Sequence, residues 1–178
     1  PPKLWRYYVS KFCDGDIYLS RDSDSKITDR EKSIIDDWIE TSFGYNIIRD
    51  SSFHLYPIMA GTFGWRKSEG EFLLSVLDRV KMNKGHFYDQ HFLAKNLYPK
   101  IINRTLVYTS FLGFKDENTK LLNKTYEEFV GCYAYRKSSQ SIAKLDKFYF
   151  LSVDMLPFKL LKFSTRLCRI YLNLILIV

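Results

Sequence analysis

Cysteine is scarce in this 178-residue sequence. The three cysteines, Cys13, Cys132 and Cys168, are far apart, odd in number and form no CxxC pair. This spacing argues against a disulfide framework and against a cysteine-based zinc site. It favours buried free thiols in a reducing compartment, so we expect a cytoplasmic location.

Several catalytic and nucleotide-binding signatures are also missing. The sequence contains no recognisable Ser/His/Asp triad, no zinc-ligand spacing and no Rossmann GxGxxG. The GxxG segment from Gly61 to Gly64 could let backbone approach a ligand, but it lacks the lysine and hydroxyl of a P-loop. No internal repeat or low-complexity tract is present. These absences argue against a serine hydrolase, a P-loop enzyme and a repeat protein.

Long apolar runs are absent too. Residues 170–178 are uncharged and strongly apolar, but they supply only about half of the roughly 20 residues that a membrane-spanning helix requires. Basic residues precede this run, so 156–178 could form an amphipathic segment that lies on a membrane. A terminal helix or strand that packs on the core is the alternative.

Apolar, aromatic and basic residues are plentiful. Hydrophobic residues make up 46% of the sequence and aromatic residues 17%, which is enough to bury one sizeable core. The net charge of +7 favours anionic partners: nucleic acid, acidic lipid or a phosphorylated small molecule. Charge alone does not choose among these partners.

Strand and helix patterns alternate over the first 110 residues, which predicts an α/β layer architecture. The predicted strands are 17–20, 45–50 and 106–110. The predicted helices are 29–42, beginning with the capping box Thr28 to Glu31, then 69–82, and a third from about 88 that stops before Pro99. Residues 51–64 and 115–124 are predicted loops. We place one domain at 1–135, followed by a basic and apolar segment at 136–178.

The most informative stretch is Ser20-Arg21-Asp22-Ser23-Asp24, where a strand-like run leads into two aspartates one residue apart. In an extended chain, Asp22 and Asp24 point to the same side. Two carboxylates could then bind a divalent cation, and such an ion could hold a diphosphate. The alternative is an ordinary solvated turn, since Asp and Ser are common turn residues.

Other candidate residues are predicted to lie near these aspartates, because ligands gather outside the carboxyl ends of strands. Arg49 and Asp50 close the second strand, either as a bidentate pair or as a surface ion pair. His54 is either a packed residue or part of a site. Asp89 either complements the start of a helix or deprotonates an acceptor hydroxyl. A cation such as Arg21 or Arg49 could stabilise a departing phosphate.

Together, residues 5 to 110 resemble a family of bacterial and large-virus glycosyltransferase-like proteins of the GT-A, nucleotide-diphospho-sugar type. The family's ordered blocks look like "WRF", "SRDxDSRxxxRE", "W", "hIxRDhpxH", "PIxGGxWG" and "DQxFL". The corresponding segments here are Trp5-Arg6-Tyr7, "SRDSDSKITDRE" at 20–31, Trp38, "NIIRDSSFH" at 46–54, "PIMAGTFG" at 57–64 and "DQHFL" at 89–93. Ala60 replaces a usual glycine, and Tyr108 to Phe111 stands where an "HDSF"-like segment is expected.

The resemblance implies a GT-A-like sheet and a metal-dependent glycosyltransferase that moves a sugar from a nucleotide-diphosphate donor to a hydroxyl acceptor on a glycan, lipid or protein. Asp22 and Asp24 would bind Mn²⁺ or Mg²⁺, and Asp89 would be the base if the reaction inverts. The implied substrate-binding residues are Arg21, Arg49, Asp50, His54, Gly61, Gly64 and Gln90. GT-A folds place base-holding strands before the DxD strand, so we expect this chain to be the central and C-terminal part of such an enzyme.

Two other functions fit parts of the sequence. A metal-dependent phosphotransferase or nuclease could use the same aspartates, although further clustered acids for a two-metal site are missing, and we expect no nucleic-acid partner. A non-catalytic module could bind membranes or anions through its basic charge, with peripheral membrane contact through 156–178.

Overall fold

A five-stranded mixed β-sheet forms the centre of the molecule. The computed structural model describes residues 2–51, 54, 56–79, 88–110, 113–114, 116–125, 128–132 and 134. The strands are β1 (Ile17–Arg21), β2 (Tyr45–Arg49), β3 (Thr62–Arg66), β4 (Thr105–Thr109) and β5 (Asn118–Leu121). Their order across the sheet is β1-β3-β2-β4-β5. The predicted α/β class is therefore confirmed.

Strand direction brings distant parts of the sequence to one edge. Strand β3 is antiparallel to both β1 and β2, whereas β4 is parallel to β2 and β5 is parallel to β4. Strands β1, β2, β4 and β5 therefore end at the same edge, and β3 begins there. We call this edge the rim, defined by Asp22, Asp50, Gly61 and Ser110. The predicted shared edge for the ends of the first two strands is confirmed.

Helices cover both faces of the sheet. One face packs against α1 (Val9–Phe12), α3 (Gly70–Leu77), α4 (Tyr88–Phe92), a π-helix (Leu93–Leu97), α5 (Tyr98–Ile101) and the 3₁₀ segment Pro2–Tyr8. This larger core is rich in aromatic residues, including Tyr7, Tyr45 and Trp65. The other face packs against α2 (Asp29–Ile39) through Ile34 and Trp38. Further 3₁₀ turns are Lys67–Glu69 and Ile102–Arg104.

Side chains form hydrogen bonds with backbone groups at both ends of α2. At its start, Thr28 Oγ1 accepts a hydrogen bond from the Glu31 N–H at 3.1 Å, which confirms the predicted cap. At its end, Arg66 donates to the carbonyls of Trp38, Ile39 and Thr41 at 3.2, 2.8 and 2.7 Å. These bonds satisfy carbonyls near the helix end. The helix ends at Ile39, three residues before the predicted end.

Three secondary-structure predictions were wrong in part. Residues 62–64 of the predicted loop 51–64 belong to strand β3, because Phe63 and Trp65 pack into the larger core. Strand β5 lies in the predicted polar loop, because its backbone pairs with β4 although its side chains are exposed. The third helix continues through Pro99, which occupies the first turn of α5 after the π-helix, where a missing N–H is tolerated.

Other predictions fall partly or wholly outside the described residues. The predicted helix 69–82 appears as α3, and residues 80–82 are among those not described. The division at 135/136 and the segment 156–178 also lie outside the described residues. Within the described part of the chain, no helix combines the length and apolar character needed to cross a membrane.

Candidate functional site

Asp22 lies at the rim, immediately after β1. Its side chain is 50% exposed, and its Oδ1 accepts from Arg6 Nη1 at 2.7 Å. The backbone of Gly61 approaches this carboxylate so closely that a Cβ at position 61 would lie 2.6 Å from Asp22 Cγ. Only glycine permits this approach without displacing the carboxylate. Asp22 and the 57–64 segment therefore lie close together, as predicted.

Asp24 belongs to a turn rather than to an extended chain. The Ser25 N–H donates to the Asp22 carbonyl at 3.1 Å, which closes the turn directly after the strand. The expectation that Asp22 and Asp24 lie in extended chain was therefore wrong. Asp24 is exposed, its carbonyl accepts from the Ala134 N–H at 2.9 Å, and its carboxylate makes no hydrogen bond to another described residue. Joint ion binding by the two carboxylates stays a prediction.

Asp22 and Asp24 are exposed carboxylates beside the rim. Among the described residues, no group of three or more His, Cys, Asp or Glu side chains is arranged to hold a metal ion. A closed metal site is therefore not formed by them. Magnesium-type ions, however, are commonly held by one or two carboxylates together with substrate phosphates and water. Asp22 and Asp24 have the oxygen chemistry that such an ion takes, and binding of a cation by them stays a prediction.

Arg21 stabilises the backbone around the rim. Its Nη2 lies 2.8 Å from Glu31 Oε2 and 3.2 Å from the Lys26 carbonyl, and its Nη1 lies 3.4 Å from the Gly61 carbonyl. Burial raises the pKa of the Glu31 carboxyl, and the Arg21 guanidinium opposes that shift. Arg21 therefore links α2, the turn after β1 and the segment before β3.

Asp50 is the most completely engaged carboxylate of the site. It is 0% exposed and accepts from Arg30 Nε and Nη2, both at 2.7 Å. It also accepts from the Ser110 hydroxyl and from the Val130 N–H, the latter at 3.0 Å. Its oxygens are thus used to join α2, β4 and the 128–132 segment. This geometry indicates that Asp50 positions the rim, and direct contact with a substrate stays a prediction.

Arg49 does not pair with Asp50, so both predicted forms of that ion pair were wrong. Arg49, the last residue of β2, pairs with the buried Glu117, whereas Asp50, directly after the strand, pairs with Arg30. The Arg49 guanidinium lies 4.4 Å above the Phe114 ring. Glu117 also accepts from the Tyr98 hydroxyl, whose pKa is raised by burial. Arg49 is buried beneath the rim rather than exposed in it.

His54 is a packed, neutral residue beside the rim. Its Nδ1 accepts from the Asp50 N–H at 3.0 Å, and its ring stands edge-on to Phe129 at 6.2 Å between centroids. Burial lowers the pKa of His54 to about 4. The imidazole is therefore uncharged at neutral pH, with Nδ1 serving as the acceptor. This agrees with the packed-residue alternative.

Gly64 serves helix packing and not the rim. It lies inside β3, where a Cβ would be 2.9 Å from Leu19 Cδ2 and 3.3 Å from Trp38 Cζ3. The absence of a side chain lets α2 approach the sheet. The interpretation of Gly61 to Gly64 as one ligand-binding loop was wrong, because only Gly61 lies at the rim.

Asp89 and Gln90 begin α4, next to the 3₁₀ segment that carries Arg6. Asp89 is buried and Gln90 is half-buried. The charge of Asp89 acts on both Arg6 and Tyr7, so α4 starts near the Arg6–Asp22 pair. Whether Asp89 acts as a base stays a prediction.

Sequence reasoning missed the partners that assemble the rim. Arg6 and Arg30 were quoted only within the family-like sequence blocks, and neither they nor Ser110 had an assigned role. The family-like sequence blocks did point to two of these residues, because Arg6 lies in the first block and Arg30 in the second. The Ala60 carbonyl makes a further link, accepting from Ser20 Oγ at 2.6 Å and from the Tyr7 hydroxyl at 3.2 Å.

A groove of about 620 Å³ lies between α2 and β5, and Arg30, which pairs with Asp50 of the rim, is one of its lining residues. Two of its other charged residues, Asp37 and Lys120, pair with each other. Lys120 Nζ lies 2.6 Å from Asp37 Oδ1, and the Tyr108 hydroxyl donates to the same carboxylate. Tyr108 therefore lines this groove.

Searches of protein-family models, of curated proteins and of solved structures found no significant match to this chain.

Proposed function

We propose that this chain is a GT-A-type glycosyltransferase domain that transfers a sugar from a nucleotide-diphospho-sugar to a hydroxyl acceptor. The observation that supports this most is the assembly of the family-like sequence blocks around one rim. Arg6 of the first block contacts Asp22 of the second, and Gly61 of the fifth lies beneath it. Blocks separated by many residues thus contribute to one site, which is typical of a functional constellation.

The exposed rim is suited to a diphosphate. Asp22 and Asp24 would hold Mn²⁺ or Mg²⁺, which when bound would offset the negative charge of the leaving nucleoside diphosphate. Arg21 and Asp50 hold the backbone around these carboxylates in place through buried ion pairs. Such fixed geometry is what electrostatic stabilisation of a leaving group requires. Asp89, near Arg6, is the proposed base if the reaction inverts.

Calorimetric titration tests this proposal directly. Uridine and guanosine diphosphates are titrated into the wild-type chain with and without Mn²⁺, and donor hydrolysis is measured with the corresponding nucleotide sugars. We expect Asp22→Asn to abolish metal-dependent binding and turnover, because the amide removes the charge that holds the cation.

The matched control is Asp14→Asn. Asp14 precedes β1, pairs with Lys67 and lies at the sheet edge opposite the rim, so this variant should bind and turn over like the wild type. Unchanged turnover in Asp22→Asn would reject the proposal. Manganese-dependent cleavage of DNA or RNA would favour the nuclease alternative. Liposome binding that survives Asp22→Asn but is lost on deleting 156–178 would favour the membrane-binding module.

A further inference from the structure

Arg6 occupies the carboxylate that the proposed function assigns to a metal ion. Its Nη1 lies 2.7 Å from Asp22 Oδ1, within hydrogen-bonding distance for an ion pair. A divalent cation bound to this carboxylate would lie close to the guanidinium, and repulsion between the two positive charges disfavours binding of both. The two positive groups therefore compete for Asp22.

The backbone that carries Arg6 is fixed while its charged end remains accessible. Leu4 and Tyr7 are buried in the larger core, and the Tyr7 hydroxyl donates to the Ala60 carbonyl at 3.2 Å. The Arg6 side chain is 32% exposed and that of Asp22 is 50% exposed. The guanidinium can therefore leave Asp22 for another anion at the rim without moving the segment that anchors it.

We infer that Arg6 is a donor-binding residue that pairs with Asp22 until donor and metal arrive together, and then binds the diphosphate. This inference rests on the proposed function. Without nucleotide, Arg6 weakens metal binding at Asp22. When a nucleoside diphosphate brings its own negative charge, the metal takes Asp22 and Arg6 pairs with a phosphate oxygen, as arginine commonly does. Metal and nucleotide therefore bind with positive coupling, which must be reciprocal.

Mn²⁺ alone is the first probe. Its affinity for the full chain is measured by calorimetry and by the spectroscopic signal of free Mn²⁺. Because a partly exposed ion pair contributes up to about 1 kcal/mol, we expect Arg6→Ala to bind Mn²⁺ about two- to five-fold more tightly than the wild type. Asp22→Asn should lose this binding in either background.

Uridine diphosphate in the presence of saturating Mn²⁺ is the second probe. Here we expect Arg6→Ala to bind more weakly by about ten-fold, since one charge-assisted phosphate contact is lost. Arg6→Lys should recover part of the nucleotide affinity, because it retains the charge but not the planar fork. Arg6→Ala should therefore raise the affinity for Mn²⁺ and lower the affinity for uridine diphosphate. A merely structural defect would not change the two affinities in opposite directions.

Arg104→Ala is the matched control. Arg104 is also a partly exposed arginine in an ion pair, with its Nη1 2.6 Å from Glu69 Oε2, and it lies at the edge opposite the rim. Arg104→Ala changes the net charge by the same amount as Arg6→Ala, so a general electrostatic effect on Mn²⁺ binding would appear in both variants. We expect neither affinity to change in Arg104→Ala.

The outcomes separate this inference from the proposed function. If Asp22→Asn loses Mn²⁺ but Arg6→Ala binds it like the wild type, competition by Arg6 is overturned and the proposed metal site stands. If Mn²⁺ affinity rises but nucleotide affinity is unchanged, the phosphate contact is overturned. If Asp22→Asn does not alter Mn²⁺ binding, the proposed metal site itself fails. Should Arg6→Ala not fold, Arg6→Lys gives the same comparison with a smaller expected shift.

Discussion

At the scale of single residues, Asp50 is the position where a small change should have the largest structural effect. Asp50→Asn replaces an acceptor oxygen with a donor beside Arg30 and the Val130 N–H, so at least one buried donor loses its partner. We expect a loss of about 3 kcal/mol in the free energy of unfolding, as for other broken buried ion pairs. Urea denaturation of the purified chain measures this loss.

The exposed pair Lys67–Asp14 provides the comparison for Asp50. Solvent screens this pair, so Lys67→Ala should leave the denaturation midpoint close to that of the wild type. A wild-type midpoint for Asp50→Asn would contradict the assignment of Asp50 as the residue that joins α2 to β4.

Residue pairing at this scale was only partly predictable. The alternation of side chains along a strand is enough to exclude an Arg49–Asp50 pair, since neighbours on a strand point to opposite faces. The actual partners, Arg30 and Glu117, are distant in sequence and are brought close only by tertiary packing. Local spacing therefore could identify the charged residues but not their partners.

At the scale of secondary-structure elements, Gly64 sets the distance between α2 and the sheet. In Gly64→Ala, the new methyl group would meet Leu19 Cδ2 at 2.9 Å and Trp38 Cζ3 at 3.3 Å. Overpacking of this kind costs about 1–3 kcal/mol, and we expect a lower melting temperature by calorimetry.

Gly15→Ala is a suitable control for that substitution. A Cβ at position 15 meets the Ile17 carbonyl and the Tyr18 ring at ordinary contact distances of 3.7 Å, so its melting temperature should match that of the wild type. Equal melting temperatures for both alanine variants would show that α2 does not depend on Gly64 for its packing.

Elements with strong local signals were predictable and those without them were not. The start of α2 followed from Thr28 and Glu31, because a cap is a local interaction. Strand β5 has four exposed residues and no apolar alternation, so only pairing with β4 makes it a strand. Glycine and proline around residues 57–64 indicated a loop and obscured β3, whose aromatic residues are held by the core.

At the scale of the whole molecule, His54 should make stability depend on acid pH. Its pKa is lowered to about 4 in the folded protein by burial, compared with about 6.5 in an unfolded chain. The unfolded state therefore takes up a proton first as pH falls. We expect full stability above about pH 6.5 and a loss of up to about 3 kcal/mol as pH approaches 4. Denaturation at a series of pH values measures this dependence.

Two histidine variants isolate the contribution of His54. His54→Asn keeps an acceptor for the Asp50 N–H but removes the titrating ring, so its stability should fall less steeply between pH 6.5 and 4. His91→Asn changes an exposed histidine that contacts Tyr56, and it should retain the wild-type dependence. An equally steep loss of stability in His54→Asn would assign the effect to other groups.

The antiparallel direction of β3 connects the rim to the opposite edge of the sheet. The strand begins at the rim beside Gly61 and ends at the opposite edge, where Arg66 donates hydrogen bonds to the end of α2. The ion pairs Lys67–Asp14 and Arg104–Glu69 lie at that same distant edge. Stabilising substitutions can therefore be placed at one end of the strands, far from Asp22 and Gly61.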